Sequence, residues 1–416
     1  MEMKRVVVTG LGALTPIGNT VPEFWESLRN GVSGAAAITR FDASKFKTQF
    51  ACEVKGFDPL NFFDRKEARK YDLNTIFGLV AADQAMKDSG IDMTKENAHR
   101  FGVIWGSGIG GLITFYNEIS DFAKGDGTPR FNPFFIPKMI ADITAGQISI
   151  AHGLKGPNFS TVSACASSAN ALVDALTYIR IGKADMFIAG GSEAAVNEGG
   201  IGGFNAMHAV STRNDDPKTA SRPFDKDRDG FVMGEGAGAM VFEELEHALA
   251  RGAKIYAEVV GGGLSADAHH MTAPHPDGEG AFYCMKLAIE DAGLSVNDID
   301  HINTHGTSTP VGDVAEPKAI VNLFGEHAKN ISINSTKSMH GHLLGATGAI
   351  EAMAVILAMQ NSLVPPTINH FTDDPEIPAL DFTFNKAKER EVKIAMTNTF
   401  GFGGHNVAVV FKKFEK

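Results

Sequence analysis

Short apolar segments that end in glycine or a polar residue alternate along the chain with longer segments of helical periodicity. Strands are predicted at Arg5–Gly10, Phe101–Gly106, Met186–Gly191, Ile255–Gly261, Ile299–His305, Ile331–Ser335 and Val392–Asn398. Helices are predicted at Leu73–Ser89, Ser167–Ile181, Gly280–Ala292 and Thr347–Asn361. The alternation is typical of an α/β protein with largely parallel, buried sheets. Gly238–Phe242 and Val407–Lys412 are predicted as edge or antiparallel strands.

Two of the predicted helices, Ala166–Ile181 and Ala346–Met359, are apolar on nearly every face. Helices without a polar face belong in the centre of a large protein. Each follows a strand and a loop that holds a residue of reactive type, Cys165 in the first case and His342 in the second. This correspondence predicts two related halves that meet near Ala250–Lys254.

Two long stretches between these elements are predicted to be irregular. Gly199–Gly234 is polar and rich in glycine, which favours a functional loop or a lid over a linker. Lys124–Pro137 combines prolines with aromatic residues, and either a partner subunit or a pocket would explain it.

The composition is that of a globular protein with a large core: 416 residues, 44% hydrophobic and 21% charged. A net charge of −11 disfavours nucleic acid as a partner. No apolar run approaches the length of a membrane span, and Val6–Val8 follows the first residues too closely for a secretory signal. The 3 widely spaced cysteines do not form a disulfide framework, so we expect a reducing compartment, the cytoplasm.

Cys165 lies where a β-leaning stretch gives way to a helix. In the first helical turn, the free N–H groups and the positive end of the dipole favour a thiolate. The same N–H groups are placed to hold an oxyanion formed when the sulfur attacks a carbonyl. The alternative is a small buried hydrophobic residue, since free cysteine is among the most buried residue types.

Two histidines follow predicted strands in the second half of the chain. His305 ends a strand beside Gly306 and three hydroxyl residues, at the kind of strand end where α/β proteins place ligand sites. His342 precedes the second apolar helix, and the helix dipole there favours its neutral form, a hydrogen-bond donor to developing negative charge. Lys337 supplies a positive charge, unless it forms a plain surface salt bridge.

Other patterns carry weaker signals. The glycines around Phe402 allow close backbone approach to a ligand, or a simple turn. His340 and His342 form an H-x-H pair of the kind that some metal hydrolases use, but the stronger zinc patterns are absent from the sequence. The glycine-rich turn Gly106–Gly111 lacks the full dinucleotide-binding context. The basic segment Arg65–Lys70 suits a solvated helix face or a patch for an acidic partner.

Five motifs in this order resemble the β-ketoacyl-[acyl-carrier-protein] synthases, most closely their type II elongating members. The motifs are Ser163-Ala164-Cys165, His305-Gly306-Thr307-Ser308-Thr309, Thr336-Lys337-Ser338, Gly341-His342 and Phe400-Gly401-Phe402-Gly403-Gly404. The resemblance runs essentially end to end. It implies an α/β thiolase-like fold in which two similar αβαβα halves form a five-layered core. Residues 1–252 would carry the nucleophilic cysteine and residues 253–416 the catalytic histidines.

The resemblance also implies a reaction and its residues. Cys165 would accept an acyl group from acyl carrier protein, with its own N–H and that of Phe402 as the oxyanion hole. His305 and His342 would then stabilise the enolate that forms when malonyl-carrier protein loses carbon dioxide. The product would be a 3-oxoacyl-carrier protein, made by a homodimer without metal or redox cofactor.

Further positions are implied by the same resemblance. Lys337 would belong to the catalytic set and form a charged pair with Glu316, while Glu351 would need a partner or a proton. The residues expected to bind substrate or support the site are Thr307, Thr309, Ile109, Phe204, Phe400, Phe402 and Asp267. Lys66, Arg69 and Lys70 would dock the acidic carrier. His340 and His405 stand where threonine is common in the family, and His208 where an arginine often contacts the carrier.

The Cys-His-His set disfavours initiating type III synthases, and the lack of a cysteine after Cys284 disfavours thiolases. The nearest alternatives are a type I elongating synthase and a polyketide ketosynthase. A metal hydrolase built on His340 and His342, and a non-catalytic partner that only binds the carrier, represent two other functional classes.

Overall fold

The computed structural model describes residues 3–415, and ten of its strands form one sheet. The strands are β1 (Val6–Leu14), β2 (Phe101–Gly106), β3 (Asn158–Thr161), β4 (Met186–Glu193), β5 (Gly236–Glu244), β6 (Ala257–Ala266), β7 (His301–Asn303), β8 (Ser332–Asn334), β9 (Ile394–Gly401) and β10 (His405–Lys412). Their spatial order is β3-β2-β4-β5-β1-β6-β10-β9-β7-β8.

In this spatial order, the second five strands show the same pairing pattern as the first five, but in reverse order. β2 pairs in parallel with β3 and β4, and β7 pairs in parallel with β8 and β9. β5 is antiparallel to β4 and β1, as β10 is to β9 and β6. The two sets meet where β1 runs antiparallel to β6. Because half of the pairs within each set are antiparallel, the expectation of largely parallel sheets is wrong.

Within residues 3–415, thirteen α-helices surround and separate the two sets of strands. They are α1 (Val21–Arg29), α2 (Arg65–Ala68), α3 (Leu73–Ser89), α4 (Leu112–Lys124), α5 (Phe135–Met139), α6 (Ile143–His152), α7 (Ser167–Arg180), α8 (Glu198–Ala206), α9 (Leu245–Ala250), α10 (Glu279–Asp291), α11 (Gly312–Phe324), α12 (Lys337–His340) and α13 (Thr347–Asn361). Short 3₁₀ turns occur at Pro59–Asn61, Ala98–Arg100, Ala164–Ala166, Pro217–Thr219, Val296–Asp298, Gly325–Asn330 and Leu344–Ala346. Two-residue ribbons pair Ala36–Ala37 with Phe50–Ala51 and Leu363–Val364 with Lys388–Glu389.

The helices complete five layers. α3 covers the outer face of β1, β5 and β4, and α10 covers β6 and β10 on the other side. α7 and α13 lie between the two sets of strands and contact each other. They approach so closely at Gly348 that an added Cβ would lie 2.6 Å from the backbone nitrogen of Ala169. The predicted thiolase-like architecture is thereby confirmed.

Several element boundaries agree with the sequence and several do not. Helices α3 and α13 begin and end at the predicted residues. β5 and β10 are antiparallel as expected, but both are interior strands. The stretch predicted as a loop at 199–234 starts inside helix α8, and the irregular stretch at 124–137 leads into α5.

One segment, Leu344–Asn361, is long and apolar enough by composition to cross a membrane, contrary to the expectation that no run is. It comprises α13 with the turn before it, and 89% of it is buried inside the protein. Its apolar character follows from its central position between the two sheet halves.

Candidate active site

A cavity of about 320 Å³ lies between the two halves and is lined by residues from both. The first half contributes Cys165 and the second contributes His305 and His342. Its other predicted residues are Phe204, Asp267, Thr307, Thr309, Glu316, Phe400 and Phe402.

Cys165 sits in the tight turn Ala164–Ala166, directly before the first residue of α7. The turn begins with Ala164 in the left-handed region at φ 51°, which is uncommon for a residue with a side chain. The Ser167 hydroxyl stabilises it by donating to the carbonyl of Ala164 at 2.7 Å and accepting from the N–H of Ser163 at 3.0 Å. The thiol is thereby fixed at the helix start and is 7% exposed.

The thiol of Cys165 is protonated in this resting site. Burial raises its pKa to about 12, against the opposing effects of the Lys337 charge and of the N–H groups of Phe402 and Cys165 itself. The N–H groups at the helix start lower the pKa of the thiol as expected, but burial has the larger effect, so the net shift is upward and not downward. The same contacts place the two backbone N–H groups at the sulfur.

His342 contacts the thiol directly. Its Nε2 lies 3.1 Å from the Sγ of Cys165, and its Nδ1 lies 3.0 Å from the hydroxyl oxygen of Thr347. The backbone is held on both sides, since its N–H donates to Val232 and its carbonyl accepts from Gly234. Burial and the Lys337 charge lower the pKa of His342 well below its usual value, so the ring is neutral.

His305 is the second imidazole of the cavity. Its ring centre lies 5.4 Å from that of His342 at nearly a right angle, and 5.5 Å from the Phe400 ring. Burial, then the Lys337 charge, lowers its pKa well below the usual value. Among the described residues its Nδ1 has no hydrogen-bond partner. Two neutral rings therefore lie next to each other in the cavity, and one of them contacts the thiol.

A buried ion pair lies beneath these rings. The Lys337 Nζ donates to the Glu351 Oε1 at 2.6 Å, and neither side chain is more than 1% exposed. Burial raises the pKa of Glu351, and the Lys337 ammonium opposes that shift. Lys337 thus pairs with Glu351 and not with Glu316, which corrects the expected pair.

Glu316 anchors the His305 loop by a different route. Its carboxyl oxygens accept the N–H groups of His305 at 3.0 Å and Gly306 at 3.1 Å, and the Asn398 amide at 3.0 Å. Burial raises its pKa to about 7. In the same loop the hydroxyls of Thr307 and Thr309 lie 3.0 Å apart and face the cavity.

The glycine-rich segment after β9 brings the Phe402 N–H to the thiol. An added Cβ at Gly401 would lie 2.6 Å from the Ser163 carbonyl and 3.1 Å from the Cys165 nitrogen, so only glycine fits. The Phe402 ring lies 6.3 Å from the Phe204 ring. Asp267 borders the same segment and accepts from the Asn406 amide at 2.8 Å.

Ile109 and the basic residues Lys66, Arg69 and Lys70 lie outside the lining of the cavity. Ile109 is at the surface of the single chain, 42% exposed, and not in the cavity wall. Lys66 and Arg69 are exposed on and just after α2, while Lys70 pairs with Glu67.

The remaining histidines are dispersed. His340 is buried, and its ring nitrogens are hydrogen-bonded to the Gly341 carbonyl and the Thr336 hydroxyl. Neither nitrogen is therefore available to bind a metal ion together with His342. Within residues 3–415 no group of three potential metal ligands is assembled. His208 and His405 are exposed, and His208 lines the cavity.

A buried acid next to the site, Glu193 at the end of β4, is not among the residues predicted from the sequence. It is fully buried and accepts the N–H groups of Gly108, Ile109 and Gly345. Burial raises its pKa to about 7, and these hydrogen bonds oppose the shift. A lone glutamate at the end of an otherwise apolar strand is the signal that would have found it.

The chain is similar to known proteins over its whole length. The profile described as "Beta-ketoacyl synthase, N-terminal domain" matches residues 3–248, and "Beta-ketoacyl synthase, C-terminal domain" matches residues 256–371. A 3-oxoacyl-[acyl-carrier-protein] synthase 2 of Staphylococcus aureus is 51% identical over 415 residues, which cover 100% of this chain and 99% of that protein.

Two solved structures extend the comparison. A β-ketoacyl synthase from Burkholderia phymatum superimposes with a TM-score of 0.93 at 36% identity, covering 99% of this chain and 100% of that one. A type II polyketide ketosynthase, solved with its acyl-carrier protein and bound hexaketide, gives a TM-score of 0.89 at 33% identity, with coverage of 99% and 100%.

Proposed function

The chain belongs to the β-ketoacyl synthase family, and we propose that it is an elongating 3-oxoacyl-[acyl-carrier-protein] synthase of fatty acid synthesis. The reaction is a decarboxylative condensation of acyl- with malonyl-carrier protein. One observation carries the assignment of roles: the Cys165 Sγ lies 3.1 Å from the His342 Nε2 and beside two backbone N–H groups.

Cys165 performs the first half-reaction. Its sulfur forms a bond to the acyl carbonyl carbon, and the bond to the phosphopantetheine sulfur breaks. The thiol proton ends on the departing sulfur. The N–H groups of Cys165 and Phe402 donate hydrogen bonds to the carbonyl oxygen as negative charge develops on it, which is the usual role of an oxyanion hole.

The histidines serve the second half-reaction. Malonyl-carrier protein loses carbon dioxide, and the electron pair that remains forms an enolate whose oxygen accepts N–H bonds from His305 and His342. The enolate carbon bonds to the acyl carbon, the Cys165 sulfur leaves, and one proton is taken up at that sulfur. Neutral rings suit this step, because each donates without adding a second buried cation beside Lys337.

Three further residues contribute to the site. We assign Lys337 a positioning role, since burial and then the Lys337 charge, which is held by Glu351, lower the pKa of both rings and keep them neutral. Thr307 and Thr309 provide hydroxyls at the cavity for the polar part of the phosphopantetheine arm.

The partner proposed for this site is an acyl carrier protein, which docks on Lys66, Arg69 and Lys70. Opposite charges steer such encounters.

A second copy of the chain would cover exposed apolar side chains on α4, α5 and the loop between them, which are Phe115, Ile119, Phe122, Phe131, Phe134 and Ile136. Sedimentation equilibrium tests the homodimer, and a monomer at all concentrations would refute it. The cytoplasm is the proposed location.

A polyketide ketosynthase is the second candidate within the family. It is favoured only by the structural match to a polyketide enzyme at 33% identity, below the 51% of the fatty acid synthase relative. Saturated products from alternating elongation and reduction support the first candidate, and repeated condensation without reduction supports the second.

The test is Cys165→Ala, with Cys284→Ala as the matched control because Cys284 is equally buried on the outer helix α10. We expect Cys165→Ala to lose acyl-enzyme formation and at least about 10⁴-fold in elongation, since removing a covalent nucleophile leaves only binding effects. Intact mass spectrometry detects the acyl group. An acylated Cys165→Ala protein that still elongates would refute the mechanism.

A further inference from the structure

Glu193 is a buried carboxylate that the proposed reaction does not use. Its Oε2 accepts from Gly108 at 2.8 Å and from Gly345 at 3.0 Å, and its Oε1 accepts from Ile109 at 3.3 Å. Burying a charge without a cation is costly unless hydrogen bonds replace water. These three N–H groups supply that replacement.

The three donors belong to two turns from opposite halves of the chain. Gly108 and Ile109 follow β2, and Gly345 lies in the turn before α13. The turns touch: an added Cβ at Gly345 would lie 2.2 Å from the Gly108 nitrogen and 2.7 Å from the Glu193 Oε2. Glu193 therefore joins two backbone segments that have no side chains between them.

Both turns border the thiol. An added Cβ at Gly108 would lie 3.3 Å from the Ala164 carbonyl, next to Cys165. Leu344, held at φ 48° beside Gly345, lines the cavity and packs in the same apolar cluster as Cys165. Leu112, which follows the Ile109 turn, packs on that cluster as well.

The turn that holds Gly345 is the counterpart of the turn that holds Cys165. Each is a 3₁₀ turn that starts with a left-handed residue and leads directly into a central helix. Gly345 stands in the place of Cys165, so its N–H corresponds to an oxyanion-hole donor. In the second half, the Glu193 carboxylate accepts the hydrogen bond from Gly345. It thus corresponds to the acyl oxygen, which accepts the equivalent hydrogen bond from Cys165 in the first half.

We propose that Glu193 is a positioning residue that clamps the Gly108–Ile109 turn to the Leu344–Gly345 turn and so fixes Leu344 in the cavity wall beside Cys165. This inference rests on the proposed function. It predicts that loosening the clamp affects long acyl chains more than short ones, because a longer chain makes more contact with that wall.

The first test is Glu193→Gln. An amide keeps one oxygen for Gly108 and Gly345 but turns an N–H₂ group towards the Ile109 N–H, which releases that turn. The rate of Cys165 acylation, measured by mass spectrometry with carrier proteins of graded saturated chain length, should fall roughly tenfold for the longest chain and about twofold or less for the shortest. Glu243→Gln, an equally buried acid on β5, controls for the loss of a buried carboxylate.

A second variant alters the other turn of the clamp, the one before α13. Gly345→Ala places its Cβ against Gly108 and should give the same selective loss for long chains. A folded variant that loses all lengths equally, or none, overturns the clamp. Wild-type elongation of the shortest chain is the separate check on the proposed function, so that a failure there is distinguished from a failure of the clamp.

Discussion

The two turns that precede the central helices show how one backbone device serves two purposes. Ala164 and Leu344 have φ angles of 51° and 48°, and α7 and α13 begin three residues later. The approaches differ. Only Val162 and Ser163 separate β3 from the first turn, whereas residues 335–343 separate β8 from the second.

The longer approach in the second half carries Lys337 and His342. The first half therefore places its reactive atom in the turn itself, and the second places its reactive ring before the turn and fills the turn with a glycine. The division predicts that loss of Cys165 stops acylation, while loss of His305 slows the later step and loss of Lys337 weakens the support beneath it.

The largest expected effect after that of Cys165→Ala comes from His305, which lines the cavity. His305→Ala should lower elongation about 10²–10³-fold, the usual loss for a donor to developing negative charge. Acyl-enzyme should still form, and rapid-quench mixing followed by mass spectrometry measures its rate of formation. If this variant blocks acylation as completely as Cys165→Ala, the division of labour between the halves is wrong.

The next effect concerns the ion pair under the second turn. Lys337→Met should lower the free energy of unfolding by about 3–5 kcal/mol, because it leaves the Glu351 carboxyl buried without its partner. Urea-induced unfolding measures the change. Lys337→Met with Glu351→Met should recover most of the loss, and equal urea midpoints for wild type and the single variant would contradict the account.

The smallest effect concerns α9, which follows β5 in the first half. His247 on this helix bonds to Glu243 at 2.6 Å and Glu96 at 2.9 Å. Burial alone would lower its pKa, but these carboxylates outweigh burial and raise it. Its contribution to stability is therefore fully present below the unfolded pKa of about 6.5 and is lost as pH rises through the higher folded pKa.

We expect that loss to be about 1 kcal/mol or less, since the side chain is partly exposed. Unfolding of the wild type and of His247→Gln, measured from mildly acidic to mildly basic pH, tests it. The variant should show a flatter dependence on pH over this range. Parallel curves for the two proteins would show that His247 does not titrate with folding.

The sequence predicted best where periodicity alone decides. α3 and α13 were placed to the residue, because long apolar helices leave an unambiguous pattern. β3 was not among the predicted strands, because three of its four residues are polar and none of the four is buried. The motifs predicted which cysteine and histidines share one cavity.

Tertiary contacts decided the rest. Whether Lys337 meets Glu316 or Glu351 depends on how α12 packs on α13, which neither segment encodes alone. The pKa of Cys165 depends on burial among residues distant in sequence, and that burial reversed the expected direction. Glu193 has no motif of its own, since its three partners come from two loops.

The membrane-like composition of Leu344–Asn361 has a consequence for biosynthesis. α13 packs on β9, which the ribosome produces only after the helix itself, and its apolar cluster includes residues from Val6 to Phe411. Until the last strands emerge, the nascent chain holds an apolar helix without part of its cover. Such an intermediate is prone to aggregation. The chain therefore completes its core at the end of translation, and truncation before β9 should yield an insoluble product.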